Sequence, residues 1–123
     1  MDTILVIDDE VGMRKVMRRM IEMAGYSVVE ARDGKQGLRL FRETPIEVVI
    51  TDIFMPEKEG LELIPEMKRE RPAVKIIAVS GGSSRLGAFS PLPAAKGLGA
   101  SCVLDKPFTQ QQLLDAVRTA LGQ

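Results

Sequence analysis

The chain has 123 residues, 45% of them apolar, with 17 lysines and arginines balancing 17 aspartates and glutamates. That supports one hydrophobic core and not two, and a zero net charge leaves no basic excess for a nucleic-acid or membrane surface. One cysteine excludes an internal disulfide, and the absence of histidine removes the commonest general base, zinc ligand and pH switch, so any chemistry rests on carboxylates, hydroxyls and lysines.

Short apolar runs of strand length alternate with amphipathic segments of helical length, the pattern of a parallel sheet covered by helices on both faces. The first strand is expected over Thr3 to Asp8. The helix after it puts Met13, Val16, Met17, Met20, Ile21 and Ala24 on one stripe and stops at Gly25, with its methionines read as core filling. A second strand over Ser27 to Ala31 leads to a helix capped by Asp33, carrying Leu38, Leu40 and Phe41 and ending before Pro45. The third strand is Glu47 to Asp52, and its helix starts after Gly60 with Pro65 expected to loosen its first turns.

The fourth strand, Val74 to Ser80, runs into a stretch rich in Gly and Ser from Gly81 to Ser90, then a short helix with Ser90 as N-cap and Pro91 at its first position. The fifth strand is Ser101 to Asp105, with Cys102 among its core residues. In the last helix Thr109 and Gln112 have capping-box spacing, and Leu113, Leu114, Val117 and Leu121 face inward. Residues 1–123 therefore read as a single domain, with nothing left over for an output domain. Met1 leads straight into a strand pattern and no apolar run reaches membrane length, so the expectation is a soluble, untargeted, cytoplasmic protein.

In an open parallel sheet ligands bind beyond the carboxyl ends of the strands, so the residues at those ends carry the information. Strand one ends in Asp8-Asp9, strand three in Asp52, strand four in Ser80, and strand five runs into Asp105-Lys106-Pro107. Taken singly, each has an ordinary reading: Asp8-Asp9 as solvated helix-capping acids, Asp52 as a turn residue, Ser80 as a loop serine, Lys106-Pro107 as a surface turn. Together they bring carboxylates, a hydroxyl and an ammonium to one edge. Carboxylates about 5 Å apart repel by about 3 kcal/mol per pair at an effective dielectric of about 20, so the cluster calls for Lys106 and a divalent cation. An all-oxygen donor set selects a hard ion such as Mg2+ that retains several waters.

These residues resemble a family. The segments ILVIDDE at 4–10, VVITDIFMP at 48–56 followed by Gly60, AVSG at 78–81 and GASCVLDKPF at 99–108 are similar, in order and spacing, to response-regulator receiver domains of two-component signalling. The resemblance covers essentially the whole chain and implies an α/β fold, a doubly wound five-stranded parallel sheet of flavodoxin-like order. It implies Asp52 as phosphoacceptor, Asp9 as a direct Mg2+ ligand, Asp8 as an acid acting largely through water, and the Phe54 carbonyl as a further ligand. Ser80 and Lys106 would each bind a phosphoryl oxygen, and the Lys106–Pro107 bond would be cis.

The implied partners are a sensor histidine kinase or histidine phosphotransfer protein and a downstream effector protein, with no direct nucleic acid or membrane contact and a monomer or weak dimer as the assembly. Two features depart from the family pattern. Val103 stands where a tyrosine or phenylalanine is usual, and the Ser80-to-Gly99 stretch is long and carries Pro91 and Pro93. The conformational switch is accordingly expected in the loop after strand four, residues 81–93.

Three other readings compete. A small Mg2+-dependent phosphatase or phosphotransferase with an aspartate nucleophile usually carries a second aspartate two residues on, where this chain has Phe54. A loop cradling a nucleotide or flavin phosphate at Gly81-Gly82-Ser83-Ser84 lacks a GxGxxG or P-loop pattern. A phosphorylation-independent interaction module would not need the intact acceptor set.

Overall fold

The computed structural model describes residues 2–53, 60–80, 97 and 99–123, the side chains of 60 and 61 excepted. Five strands, β1 (Thr3–Ile7), β2 (Ser27–Ala31), β3 (Val48–Asp52), β4 (Lys75–Ser80) and β5 (Cys102–Asp105), form one sheet in the order β2-β1-β3-β4-β5, every pair parallel. The expected starts of β3, β4 and β5 and the expected end of β1 each lie one residue beyond the observed strand. A ladder ends where its neighbour's register ends, which one strand's own sequence does not specify.

Alternation along the strands explains the near-continuous apolar runs. Ile4 and Val6 of β1, Val48 and Ile50 of β3, and Ile77 and Val79 of β4 enter one core with Met17, Ile21, Leu113 and Val117. Leu5, Ile7, Val49, Ile76 and Ala78 point the other way, into a core shared with Leu38, Phe41, Leu63, Ile64 and Met67. The sheet is thus covered on both faces: by α1 (Val11–Met23) and α4 (Gln110–Ala120) on one, and by α2 (Gly34–Glu43) and α3 (Gly60–Glu70) on the other.

Local signals set the helix ends. The Asp33 side chain accepts from the Gln36 amide at 2.8 Å to open α2. Thr109 and Gln112 close a full capping box at the start of α4. Beyond α1, Gly25 takes a φ of +98°, the left-handed conformation that ends a helix at little cost to glycine. Helix α3 continues through Pro65 to Glu70. The apolar stripe of α1 is narrower than expected: Met17 and Ile21 are buried and Met13 and Met20 half-buried, but Val16 is exposed and Ala24 lies in the exposed C-cap. Val16 sits about 100° around the helix from Met17 and so clears the sheet. The short helix expected at Ser90 and Pro91 falls outside the described residues.

Candidate functional site

The carboxyl ends of β1, β3, β4 and β5 meet at one edge, and the order of the strands decides what each contributes. Asp8 follows the last residue of β1. Its backbone N–H continues the ladder by donating to the Ala31 carbonyl at 3.1 Å, which fixes it before its side chain is considered. One carboxylate oxygen, Oδ1, accepts from the Glu10 amide at 2.9 Å and shapes the turn into α1, while Oδ2 accepts from Lys106 Nζ at 3.1 Å. The helix-capping reading of this acid therefore describes half of it: one oxygen serves the turn and the other faces the site.

Asp52 ends β3, and its Oδ2 accepts from the same Lys106 ammonium at 3.0 Å. Lys106 reaches both acids from across β4. The Lys106 amide donates to the Ser80 carbonyl at 2.8 Å, extending the β4–β5 pairing one residue past Ser80↔Asp105, and the Lys106–Pro107 peptide is cis as the resemblance implied. Ser80 itself is the last residue of β4, beside these groups.

Burial separates the acids. Asp8 is 0% exposed, Asp52 4% and Ser80 1%, whereas Asp9 is exposed. One carboxylate oxygen from each of Asp8, Asp9 and Asp52 nevertheless lies within 4.8 Å of the other two, so the exposed acid turns back over the buried pair. Asp105 is also exposed and is not a member of this cluster. The Lys106 ammonium is pulled two ways. Burial disfavours its charged form, but attraction and hydrogen bonding from Asp52 and then Asp8 outweigh this, and its pKa moves upward. It is held as a cation at any physiological pH.

Among the described residues, three carboxylates and one ammonium leave the cluster two negative charges from balance. Hard oxygen donors carrying that excess fit a small divalent cation and offer nothing to a soft one. Of the expected site residues, Asp8, Asp9, Asp52, Ser80 and Lys106 come together. Phe54 and the 81–93 loop lie outside the described residues.

Two residues that the sequence did not single out stand behind the site. Arg14 of α1 donates from Nη1 to the Asp8 carbonyl and from Nε to Glu30 of β2, both at 2.9 Å. Gly37 of α2 packs so closely on Ile7 that a Cβ there would come within 2.5 Å of its Cδ1. No sequence signal pairs residues 14 and 30, or 7 and 37, because each pair joins different elements.

Comparison with known proteins agrees with this arrangement. The family model described as the response regulator receiver domain matches residues 4–118. The transcriptional regulatory protein GlrR of Escherichia coli is 31% identical over 98% of this chain and 26% of its own length, and a probable transcriptional regulator ycf27 of Porphyridium aerugineum is 30% identical over 98% and 48%. The chain thus spans half or less of these curated relatives. A response regulator receiver domain protein from Clostridium thermocellum superposes with a TM-score of 0.88 at 34% identity, covering 99% of this chain and 95% of that one. Family model, fold and strand-end residues agree, and the chain belongs to the response-regulator receiver domains, the phosphoacceptor modules of two-component signalling.

Proposed function

We propose that Asp52 is the phosphoacceptor of this domain and that Asp8, Asp9 and Asp52 together hold Mg2+. The observation that carries the reading is the Lys106 ammonium shared between Asp52 and Asp8 at 3.0 and 3.1 Å, inside a three-carboxylate cluster that one lysine cannot neutralise. Asp9, the exposed member, would be a direct ligand; Asp8, committed through Oδ1 to the α1 turn and through Oδ2 to Lys106, would act largely through water. The Phe54 carbonyl is proposed as a further ligand on the resemblance alone.

The donor is a phosphohistidine on a sensor kinase or phosphotransfer protein. A carboxylate oxygen of Asp52 attacks phosphorus in line; the O–P bond forms as the N–P bond breaks, and the imidazole nitrogen leaves with the electron pair. Bound Mg2+ supplies charge neutralisation for the phosphoryl oxygens, the usual role of a hard cation in phosphoryl transfer. Lys106 releases Asp52 to pair with a phosphoryl oxygen, and the Ser80 hydroxyl donates to another. Little acid–base chemistry is required, which suits a chain without histidine; the protein positions and neutralises. Water later hydrolyses the acyl phosphate to phosphate and the free carboxylate.

The new charge at Asp52 would draw on the Ser80 hydroxyl, and we place the signal to the effector in residues 81–93, which follow it in sequence. Intact mass after incubation with a small phosphodonor and Mg2+ tests the assignment. One added phosphoryl group in the wild type and none in Asp52→Ala is expected, and incorporation that survives the substitution removes Asp52 from the role.

A further inference from the structure

The peptide joining the two acids is held from outside the site. Asp8 is pinned on its amide side by Ala31, but its carbonyl lies beyond the end of β1, where no strand among the described residues takes it up. Arg14 donates to that carbonyl instead, at 2.9 Å. The oxygen concerned belongs to the Asp8–Asp9 peptide plane, so its direction sets where the next Cα, and with it the Asp9 carboxylate, projects.

The guanidinium has little freedom of its own. Its Nε is committed to Glu30 Oε1 at 2.9 Å, so a planar fork is fixed at two points. Glu30 is in turn fixed through Oε2 by Arg18 at 2.6 Å and Lys15 at 2.9 Å. Arg14 is 14% exposed and Glu30 10%, so this is a nearly buried chain of charged hydrogen bonds running from the outer strand β2 to the backbone of the site.

We propose that Arg14, braced by Glu30, is a positioning residue for the cation site: it orients the Asp8–Asp9 peptide and thereby aims Asp9 at the oxygens of Asp8 and Asp52. The proposal rests on the reading of that cluster as a cation site. It makes a prediction opposite in sign to simple electrostatics. Arg14 is a cation near three acids, so charge alone says that removing it strengthens Mg2+ binding. Loss of positioning weakens it.

The test is Mg2+ titration of the whole chain by NMR for Arg14→Met, which keeps the apolar stem, and for Arg18→Met, which removes another Glu30 partner without touching Asp8. Arg14→Met is expected to lose about tenfold in affinity, the usual scale for a residue that orients a metal ligand. Arg18→Met should stay within about twofold of wild type, as befits a screened surface charge. In the metal-free protein the Asp8 carbonyl carbon and Asp9 amide nitrogen resonances should move in Arg14→Met and not in Arg18→Met, a readout independent of activity.

Equal or tighter binding in Arg14→Met, or an equal loss in Arg18→Met, overturns the proposal. If Arg14→Met does not fold, Arg14→Lys decides: the charge is kept but the two-point fork is lost, so reduced affinity supports positioning and wild-type affinity overturns it. Asp9→Ala separates the two levels of inference. Normal Mg2+ binding there removes Asp9 from the ligand set, and with it the reading on which the proposal rests, whereas loss of binding there beside an intact Arg14→Met removes only the role of Arg14.

Discussion

Two charge clusters, joined through Arg14, are built in opposite ways. The Glu30 cluster sets one carboxylate against Arg14, Lys15 and Arg18, with Glu22 drawing on Arg18 from the other side. Among the described residues, the strand-end cluster sets three carboxylates against the Lys106 ammonium. Each partner of Glu30 raises the stability of its ionised form, and although burial opposes this, its pKa falls to about 2. At the strand ends the excess among the described residues runs the other way, and a divalent cation bound there would relieve that repulsion. One cluster is complete in the protein alone; the other is left incomplete in the way a cation-dependent phosphoacceptor requires.

The sharpest way to break this contrast is to remove the acid that faces solvent. Asp9→Ala is expected to abolish both Mg2+ binding and phosphoryl incorporation, since the two buried acids that remain are already neutralised in part by Lys106. Wild-type binding should itself be weak, about 0.1–1 mM, because few protein ligands and several waters are expected. The chain has no tryptophan, so NMR or calorimetry is the measurement. Unchanged phosphorylation in Asp9→Ala would mean that the buried pair suffices.

Removing Lys106 sharpens the contrast from the other side. Lys106→Ala leaves Asp8 and Asp52 buried without their shared partner, and the metal-free protein should lose about 2 kcal/mol or more by urea unfolding. Mg2+ should bind as well or better and restore part of that stability, while coupling to the effector fails. Weaker Mg2+ binding would instead make Lys106 an architectural element. A smaller effect is expected at Gly37→Ala, about 1–3 kcal/mol, because the added methyl meets Ile7 in a packed core one residue before Asp8. A neutral result there would show that Ile7 can turn aside.

Much of this was legible in the sequence, for identifiable reasons. A carboxylate after four buried β-branched residues, as in Val48 to Asp52, is costly unless it is used, and its place at a strand end, shared with Asp8, Ser80 and Lys106, located the edge where they meet. Asp33 and Thr109 announced their helices because an N-cap acts within four residues. What could not be read is what crosses between elements. Arg14 looks like one basic residue among several on α1 until β2 brings Glu30 beneath it, and Gly37 looks like a poor helix former until α2 is laid on Ile7. The stripe of α1 was drawn too wide, at Val16 and at Ala24, because periodicity gives the direction of a face but not how far the sheet beneath it extends.

The gentlest test of the contrast is acid titration of Glu30. Its folded pKa of about 2 lies below the ordinary 4.5, so its contribution to stability is complete above pH 4.5, where both folded and unfolded chains carry the charge. As pH falls from about 4.5 towards 2 the unfolded chain takes up a proton first, and the contribution is lost across that window. Linkage sets an upper bound of about 3 kcal/mol. Lys15 and Arg18 are 58% and 41% exposed, however, and solvent screening brings the expected value to about 1–2 kcal/mol. Glu30→Gln should therefore be less stable than wild type by that amount near neutrality, and the two unfolding curves should converge as pH approaches 2. Many carboxylates titrate in this range, so only the difference between the two proteins isolates Glu30. A difference that stays constant with pH would mean that Glu30 contributes through packing and shape, and that the completeness of its cluster is geometric and not electrostatic.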